Sequence, residues 1–430
     1  MDIVHLTERP PHVSGSYNRS VGRQMEEIRE YRQIAISSEL VDGTSCVSSG
    51  TSSRSFKGVI FAARRDLGLK QRLCLALPRF LRKRMFFGIS SRSMLVYMWR
   101  IGYYLATLRP KLIICYDAYK MGPYLRSVVK WPCRIILSQR GESYWLDSRA
   151  GAELYSLRYF DAVWLLSLAS YITDRSNLPA YETPVYLLPN GVDTNRFRPV
   201  AAEQRAQIKS EWGLPPNTLV VLYLSRLVPK KGAHLLVQCW ADVVCKIPNA
   251  LLWIMGSGDN SYRTRLEAMA TALGVTRSIR FQGSVSAENS HRVYQAADVF
   301  VLPTLCSEGM SNALLEAMAS GLPCVVAEHN SAAASYSRSD VLFVPAPNVD
   351  GAFVDPLVSL LSDPARRNDL GSNARRAVAE NYSEQAAFAR IRSFFGKQLD
   401  LVDGINRRAG LTEQEQRNAD DPRLSPQRTQ

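Results

Sequence analysis

The sequence predicts an α/β protein of two doubly wound domains in tandem, each a parallel sheet with helices on both faces. Three observations carry this. Short apolar runs rich in β-branched residues alternate with longer helical patterns through the first 190 residues, the signature of a parallel sheet with crossover helices. A second alternating series starts after the turn-rich Pro189-Asn190-Gly191-Val192-Asp193. Nearly every strand of that second series runs into a loop of Gly, Ser or charged residues, and the carboxyl ends of such strands are where ligands gather.

In chain order, the first series predicts strands at Asp2–Leu6, Gln33–Ile36, Gly58–Phe61, Lys111–Cys115, Arg134–Leu137, Asp161–Leu166 and Val185–Leu188. Helical patterns fall at Gly22–Glu30 and Arg92–Leu108. The second series predicts strands at Thr218–Leu224, Ala250–Met255, Ser278–Phe281, Asp298–Leu302, Pro323–Val326 and Val341–Val344. An amphipathic helix, Asn381–Gln398, is expected to pack back across the cleft between the domains. The expected divisions are 1–195 for the first domain, 196–382 for the second, 383–404 for the returning helix and 405–430 for a polar, disordered tail.

Composition narrows the function classes. With 430 residues and 46% apolar content the chain can build two proper cores. It contains no run of about 18 uncharged apolar residues that would span a membrane. It opens on the strand-like MDIVHL, so no signal peptide is expected. Eight cysteines without a C-x-x-C pair read as the reduced thiols of a cytoplasmic protein, and five histidines do not suggest a metal enzyme. Net charge is +14, and Arg54–Arg109 holds thirteen Lys or Arg against one acid, Asp66. Inside it, LCLALPRFLRKRMFFGI (Leu73–Ile89) mixes Arg79, Arg82, Lys83 and Arg84 with Phe80, Phe86 and Phe87. That mixture suits an anionic membrane surface and equally a solvated basic helix. No nucleic-acid-binding module accompanies it.

The chemistry-bearing stretches follow the second series of strands. In Ser225–Gly232 (SRLVPKKG), Arg226 and Lys231 lie five residues apart just before a helix, a pairing able to neutralise a diphosphate, although a basic turn taken alone is more often simply solvated. Gly256 and Gly258 in MGSGD would let a backbone approach a ligand. FQGSV, with Gln282 and Val285, could hold a base; taken singly, each of these two stretches is equally the pattern of an ordinary strand-end turn. In Ser307–Pro323 (SEGMSNALLEAMASGLP), Glu308 is expected before a helix and Glu316 about two turns into it, roughly 12 Å along the axis. Taken alone, that pair is also the pattern of a surface helix with two solvated glutamates. Gly309, Met310, Ser311, Asn312 and Leu314 frame the helix opening. In the first domain, the small-residue loop after the first strand ends in Gly15-Ser16.

Taken together, PNGVDTNRF (Pro189–Phe197), SRLVPKKG, MGSGD, FQGSV, ADVFVLPTLCSEGMSNALLEAMASGLPCVV (Ala297–Val326) and DPARRNDLGSNARRAVAENYS (Asp363–Ser383) resemble, in order, the family 4 glycosyltransferases of the group 1 type. The resemblance covers about half the chain. It implies a GT-B fold, two Rossmann-like domains facing across a cleft, and a retaining, metal-independent transfer of a hexose or related sugar from a nucleoside diphosphate sugar, with no cofactor. Arg226 and Lys231 would hold the diphosphate, Glu308 the sugar hydroxyls and Glu316 the ribose. Gly256, Gly258, Gln282, Val285, Gly309, Met310, Ser311, Asn312 and Leu314 would line the donor. Gly15 and Ser16 would approach the phosphate when the cleft closes. The acceptor would be a glycan or a lipid-linked molecule of cell-surface polysaccharide synthesis. The enzyme would be cytoplasmic and peripheral on the inner face of the cell membrane.

Two places depart from the family pattern. Many members carry His-Gly after the strand that here ends at Leu137, whereas this chain reads Ser138-Gln139-Arg140-Gly141-Glu142. Either Arg140 or Glu142 could replace the histidine on the sugar side, or Arg140 could be structural. Ala327–Ser337 (AEHNSAAASYS) stands where the family has a Gly-Gly-x-Pro-Glu loop. These changes raise a second class of function, a non-catalytic nucleotide-sugar-binding scaffold with a degenerate acceptor half.

Overall fold

A computed structural model describes residues 1–7, 16–37, 48–49, 101–116, 121–140, 157–167, 183–306, 310–328 and 335–408. The first sheet contains β1 (Ile3–Thr7), β2 (Gln33–Ser37), β3 (Ser48–Ser49), β4 (Leu112–Tyr116), β5 (Arg134–Gln139), β6 (Ala162–Leu165) and β7 (Val185–Leu187). Its order is β3-β2-β1-β4-β5-β6-β7. All pairings are parallel except β2–β3. The two-residue antiparallel edge strand β3 carries no apolar run, so periodicity does not announce it. The strand expected at Gly58–Phe61 lies outside the described residues.

The central strands are covered on both faces, which is why they read as unbroken apolar runs. Along β4, Ile113 and Cys115 enter one core while Leu112, Ile114 and Tyr116 enter the other, the period-2 alternation of a strand. The first face is closed by α2 (residues 101–108) and α3 (Gly122–Val128), through Ile101, Leu105 and Leu125. The second is closed by α1 (Ser16–Glu27) and by a helix from the far end of the chain.

The second sheet contains β8 (Leu219–Leu224), β9 (Ala250–Met255), β10 (Ile279–Gly283), β11 (Val299–Leu302), β12 (Cys324–Ala327) and β13 (Leu342–Val344), all parallel, in the order β10-β9-β8-β11-β12-β13. Helices α4 (Ala202–Glu211), α7 (Ser290–Ala296), α8 (Asn312–Ala319) and α10 (Pro364–Asn381) share one core with Val220 and Leu222. Helices α5 (Ala233–Lys246), α6 (Asn260–Ala272) and α9 (Val354–Ser362) share the other with Val221 and Tyr223. The strand order reverses between β8 and β11, creating the crevice where doubly wound sheets bind ligands.

The chain leaves α10 at Tyr382 and enters α11 (Glu384–Arg408), whose Ile391, Phe394, Phe395 and Leu399 pack on the first sheet against Ile3, Ile114 and Trp164. Asn381, read from the sequence as the start of the returning helix, is instead the last residue of α10. Helix α11 also continues to Arg408, four residues into the stretch expected to be tail; residues 409–430 lie outside the description. Val192 N–H donates to the Tyr382 carbonyl and Glu384 N–H to the Val192 carbonyl, each over 2.9 Å. At Gly191 a Cβ would fall 2.7 Å from the Glu384 Cα, so only glycine admits this crossing. Arg23–Glu384 (3.4 Å) and Lys111–Asp403 (2.7 Å) pin α11 at both ends. Of the basic segment Arg54–Arg109 only residues 101–109 are described, and among the described residues no helix is long and apolar enough to cross a membrane.

Candidate functional site

The site is assembled from loops leaving the carboxyl ends of β8, β9, β10 and β11. After β8 the chain turns through Arg226 into the short 3₁₀ turn Pro229–Lys231 and then α5. Gly232 closes the turn at φ +75°, and a Cβ there would lie 2.0 Å from the Pro303 carbonyl. Leu305 N–H donates to the Lys230 carbonyl over 2.9 Å. The lysine turn and the loop after β11 are therefore in backbone contact across the crevice. Lys231 is buried, whereas Arg226 is exposed.

The two glycines of MGSGD make room for the loop that follows β8. A Cβ at Gly256 (φ +131°) would sit 1.9 Å from the Ser225 carbonyl oxygen, and one at Gly258 2.3 Å from that of Leu227. Ser225 and Leu227 N–H donate to the Met255 and Ser257 carbonyls, and Asp259 N–H donates back to Leu227. The space a side chain would fill is thus taken by the loop carrying Arg226, and the glycines permit that loop to dock. Gly256 N–H also donates to the Gly283 carbonyl over 2.7 Å, which ties in β10. On that edge Gln282 is half-buried and Val285 packs on the core.

Helix α8 begins later than its sequence suggested. Ser311 is its N-cap and accepts from Leu314 N–H over 3.4 Å, so Glu316 lies about one turn into the helix and not two. Leu314 is only 1% exposed and packs in the second domain's core, with its N–H directed to the Ser311 cap. Met310 is half-buried against the same core. Glu316 receives a 2.8 Å hydrogen bond from the buried Tyr294 hydroxyl on α7. Burial, and then the Glu316 charge, push the Tyr294 phenol well above its usual range, keeping it a donor. Tyr294 lies 22 residues from Glu316 on another helix, and no local spacing reveals the pair. Glu308, Gly309, Gly15 and Glu142 lie outside the described residues, and of Ser16 only the backbone, opening α1, is described.

Facing α8 from the first sheet is Arg140, next after β5. Tyr116, Ser138 and Trp164 stand in one row across β4, β5 and β6. Arg140, two residues beyond Ser138, lays its guanidinium 5.1 Å from the Tyr116 ring centre and 4.7 Å from that of Trp164. It is buried, and its Nη1 donates to Asn190 Oδ1 over 2.9 Å. Asn190 Nδ2 in turn donates to Asn312 Oδ1 on α8 over 2.9 Å. The Trp164 indole also donates to the Leu188 carbonyl over 2.7 Å. Arg140 therefore reaches the donor side through the interdomain connection. Below it, buried His5 bonds Tyr116 (3.0 Å) and Gln33 (2.9 Å). Burial, with Arg140 close by, lowers His5 to about 4 and leaves it neutral. Among the described residues no three His, Cys, Asp or Glu side chains gather in a metal-holding group.

Residues 204–377 match the family described as glycosyl transferases group 1. The chain is 32% identical over 202 residues to a GDP-mannose-dependent monoacylated α-(1-6)-phosphatidylinositol monomannoside mannosyltransferase of Corynebacterium glutamicum, covering 46% of this chain and 52% of that one. It is 33% identical over 214 residues to a GDP-mannose-dependent α-(1-6)-phosphatidylinositol monomannoside mannosyltransferase of Mycolicibacterium smegmatis, covering 47% and 54%. It thus spans about half the length of these curated relatives. Among solved structures, a sucrose-phosphate synthase from Thermosynechococcus elongatus superposes with a TM-score of 0.70 at 18% identity, over 93% of this chain and all of that one. Anabaena HepE in complex with UDP superposes with a TM-score of 0.67 at 15% identity, over 92% and 100%. The fold is GT-B, two doubly wound domains across a cleft.

Proposed function

We propose, from the premise that residues 204–377 are a group 1 glycosyltransferase domain, that this chain moves a sugar from a nucleoside diphosphate sugar to a hydroxyl-bearing glycan or lipid-linked acceptor. The observation that carries the reading is the meeting of the lysine turn and the β11 loop at the reversal point of the second sheet, with Gly232 against Pro303. That contact sets buried Lys231 and exposed Arg226 beside the loop leading to α8 and Glu316.

In this reading Arg226 and Lys231 bind the diphosphate and take up the charge that builds on it as the anomeric carbon–oxygen bond breaks. Glu316, held by Tyr294, binds the ribose, and Glu308 the sugar. The acceptor oxygen bonds to the anomeric carbon on the face the diphosphate leaves. The acceptor's proton passes to the departing phosphate oxygen, so anomeric configuration is retained and neither metal nor separate protein base is called on. Closure of the first domain over the donor would limit its loss to water.

The named relatives make GDP-mannose the first donor to assay, with UDP-glucose beside it, and phosphatidylinositol mannosides the first acceptors. Glu308→Gln and Lys231→Ala should each reduce turnover by at least tenfold; unimpaired transfer by both sinks these roles. Peripheral membrane attachment rests on the charge of Arg54–Arg109. Wild-type protein should float with anionic liposomes and a variant with Arg79, Arg82, Lys83 and Arg84 changed to Ser should not. A wild type that stays down removes the membrane from the reading.

A further inference from the structure

The hydrogen bonds between Arg140 and Asn312 have a direction imposed by chemistry. An arginine side chain only donates. The amide of Asn190 must therefore turn its Oδ1 to Arg140, which leaves Nδ2 facing Asn312. Asn312 must accept with its own Oδ1, so its Nδ2 points away from Asn190. That Nδ2 has no acceptor among the described residues. Asn312 is the first residue of α8, directly after the cap Ser311, in the turn where backbone N–H groups lack helical partners. Asn190 is 8% exposed and Arg140 9%. The guanidinium is further held by the Tyr116 and Trp164 rings and by a 3.3 Å bond from Nε to Ser138 Oγ, so the first two members are fixed in place.

We propose that Arg140 is a positioning residue that, through Asn190, fixes the amide of Asn312 so that its NH₂ faces the bound donor as an added hydrogen-bond donor at the N-terminus of α8. This rests on the reading of the chain as a glycosyltransferase and adds to it a link between the acceptor-side sheet and donor binding. A residue that departs from the family pattern thereby acts on the donor site without touching the sugar.

Asn190→Asp separates this role from a structural one. A carboxylate at 190 still accepts from Arg140, now as a charge-assisted pair, so the melting temperature should hold or rise. The same carboxylate cannot donate to Asn312. The Asn312 amide then turns its NH₂ toward residue 190 and presents its carbonyl to the donor. The Kd for GDP-mannose or UDP-glucose, whichever the wild type binds, should rise about tenfold, the scale of one lost ligand hydrogen bond. Asn312→Ala, which keeps the Arg140–Asn190 bond and removes the amide itself, should show a similar rise. Combining it with Asn190→Asp should add nothing, because both act through one group. Donor affinity within twofold of wild type in either folded single variant overturns the proposal while leaving the glycosyltransferase reading in place. A wild type that binds neither nucleotide sugar, nor GDP nor UDP, overturns that reading and this proposal with it.

Discussion

The Tyr294 hydroxyl donates to Glu316 Oε2 over 2.8 Å from a side chain wholly inside the second domain's core. The ring is wedged against Phe197 and Phe300, so its hydroxyl is a fixed point toward which the carboxylate turns. Tyr294→Phe keeps the packing and removes the donor. A hydrogen bond to a charged acceptor is worth about 1.5–3 kcal/mol, but half-buried Glu316 recovers part of this from water. The variant should lose about 1 kcal/mol of stability, read in a denaturant titration. Its donor KM should rise severalfold with kcat little changed, because the role proposed for Glu316, binding ribose, is the same in ground and transition states. A donor KM equal to wild type would remove Glu316 from the donor site.

Gly256→Ala tests the docking of the arginine loop. The added methyl would sit 1.9 Å from the Ser225 carbonyl carbon's oxygen, at a φ of +131° that side chains rarely adopt. Relief requires the Ser225–Leu227 loop to move, and Arg226 moves with it. We expect a loss of about 3 kcal/mol or more and nucleoside diphosphate affinity reduced beyond what unfolding accounts for. Calorimetry well below the melting transition separates the two effects.

Much of this architecture is legible in the residues because the central strands are buried on both faces. β8 and β9 read as LVVLYL and ALLWIM, runs with no polar interruption. The loop motifs are legible for the same reason, since each starts where such a run ends. What was not legible depends on sheet order. Tyr116 and Trp164 flank Arg140 only because β4, β5 and β6 are neighbours, and nothing local to Arg140 announces two rings. Asn190 is visible as a turn residue, but its bonds to Arg140 and Asn312 span 50 and 122 positions. The Gly256 and Gly258 pair is visible too, yet its purpose is set by a loop some 30 residues earlier.

Asp298 joins Lys209 (3.0 Å) and Arg205 (2.6 Å) on α4 and accepts from Val220 N–H (2.8 Å) on β8. It precedes β11 and so ties β8 to β11 at their amino ends, opposite the candidate site. The Lys209 side chain is 8% exposed and Arg205 34%, so only the arginine can turn to water if the carboxylate is lost. Asp298→Ala should cost about 3–5 kcal/mol, the penalty of an unpaired buried charge. Adding Lys209→Met should recover part of it. Donor KM at low temperature should stay at the wild-type value in both, and a marked rise would place this cluster nearer the site than its sheet position does.

His5 gives the chain a pH dependence of defined sign. It is fully buried between Tyr116 and Gln33, and burial, reinforced by the Arg140 charge, lowers its pKa from 6.5 to about 4. Between those values the unfolded chain binds a proton that the folded chain refuses, so stability falls as pH drops below 6.5 and continues to fall until about 4. Above pH 6.5 both states hold the ring neutral and its contribution is flat. The loss over the window amounts to about 3 kcal/mol for this one side chain. Burial also lowers His234 and His291, and both act in the same direction, so the wild-type curve alone does not isolate His5. The His5→Gln variant does: it should be less stable than wild type at pH 7.5, yet its stability should decline less steeply between pH 6.5 and 4.5. Parallel curves for the two proteins would mean that His5 titrates near its ordinary value, and that the buried row beneath Arg140 is open to water.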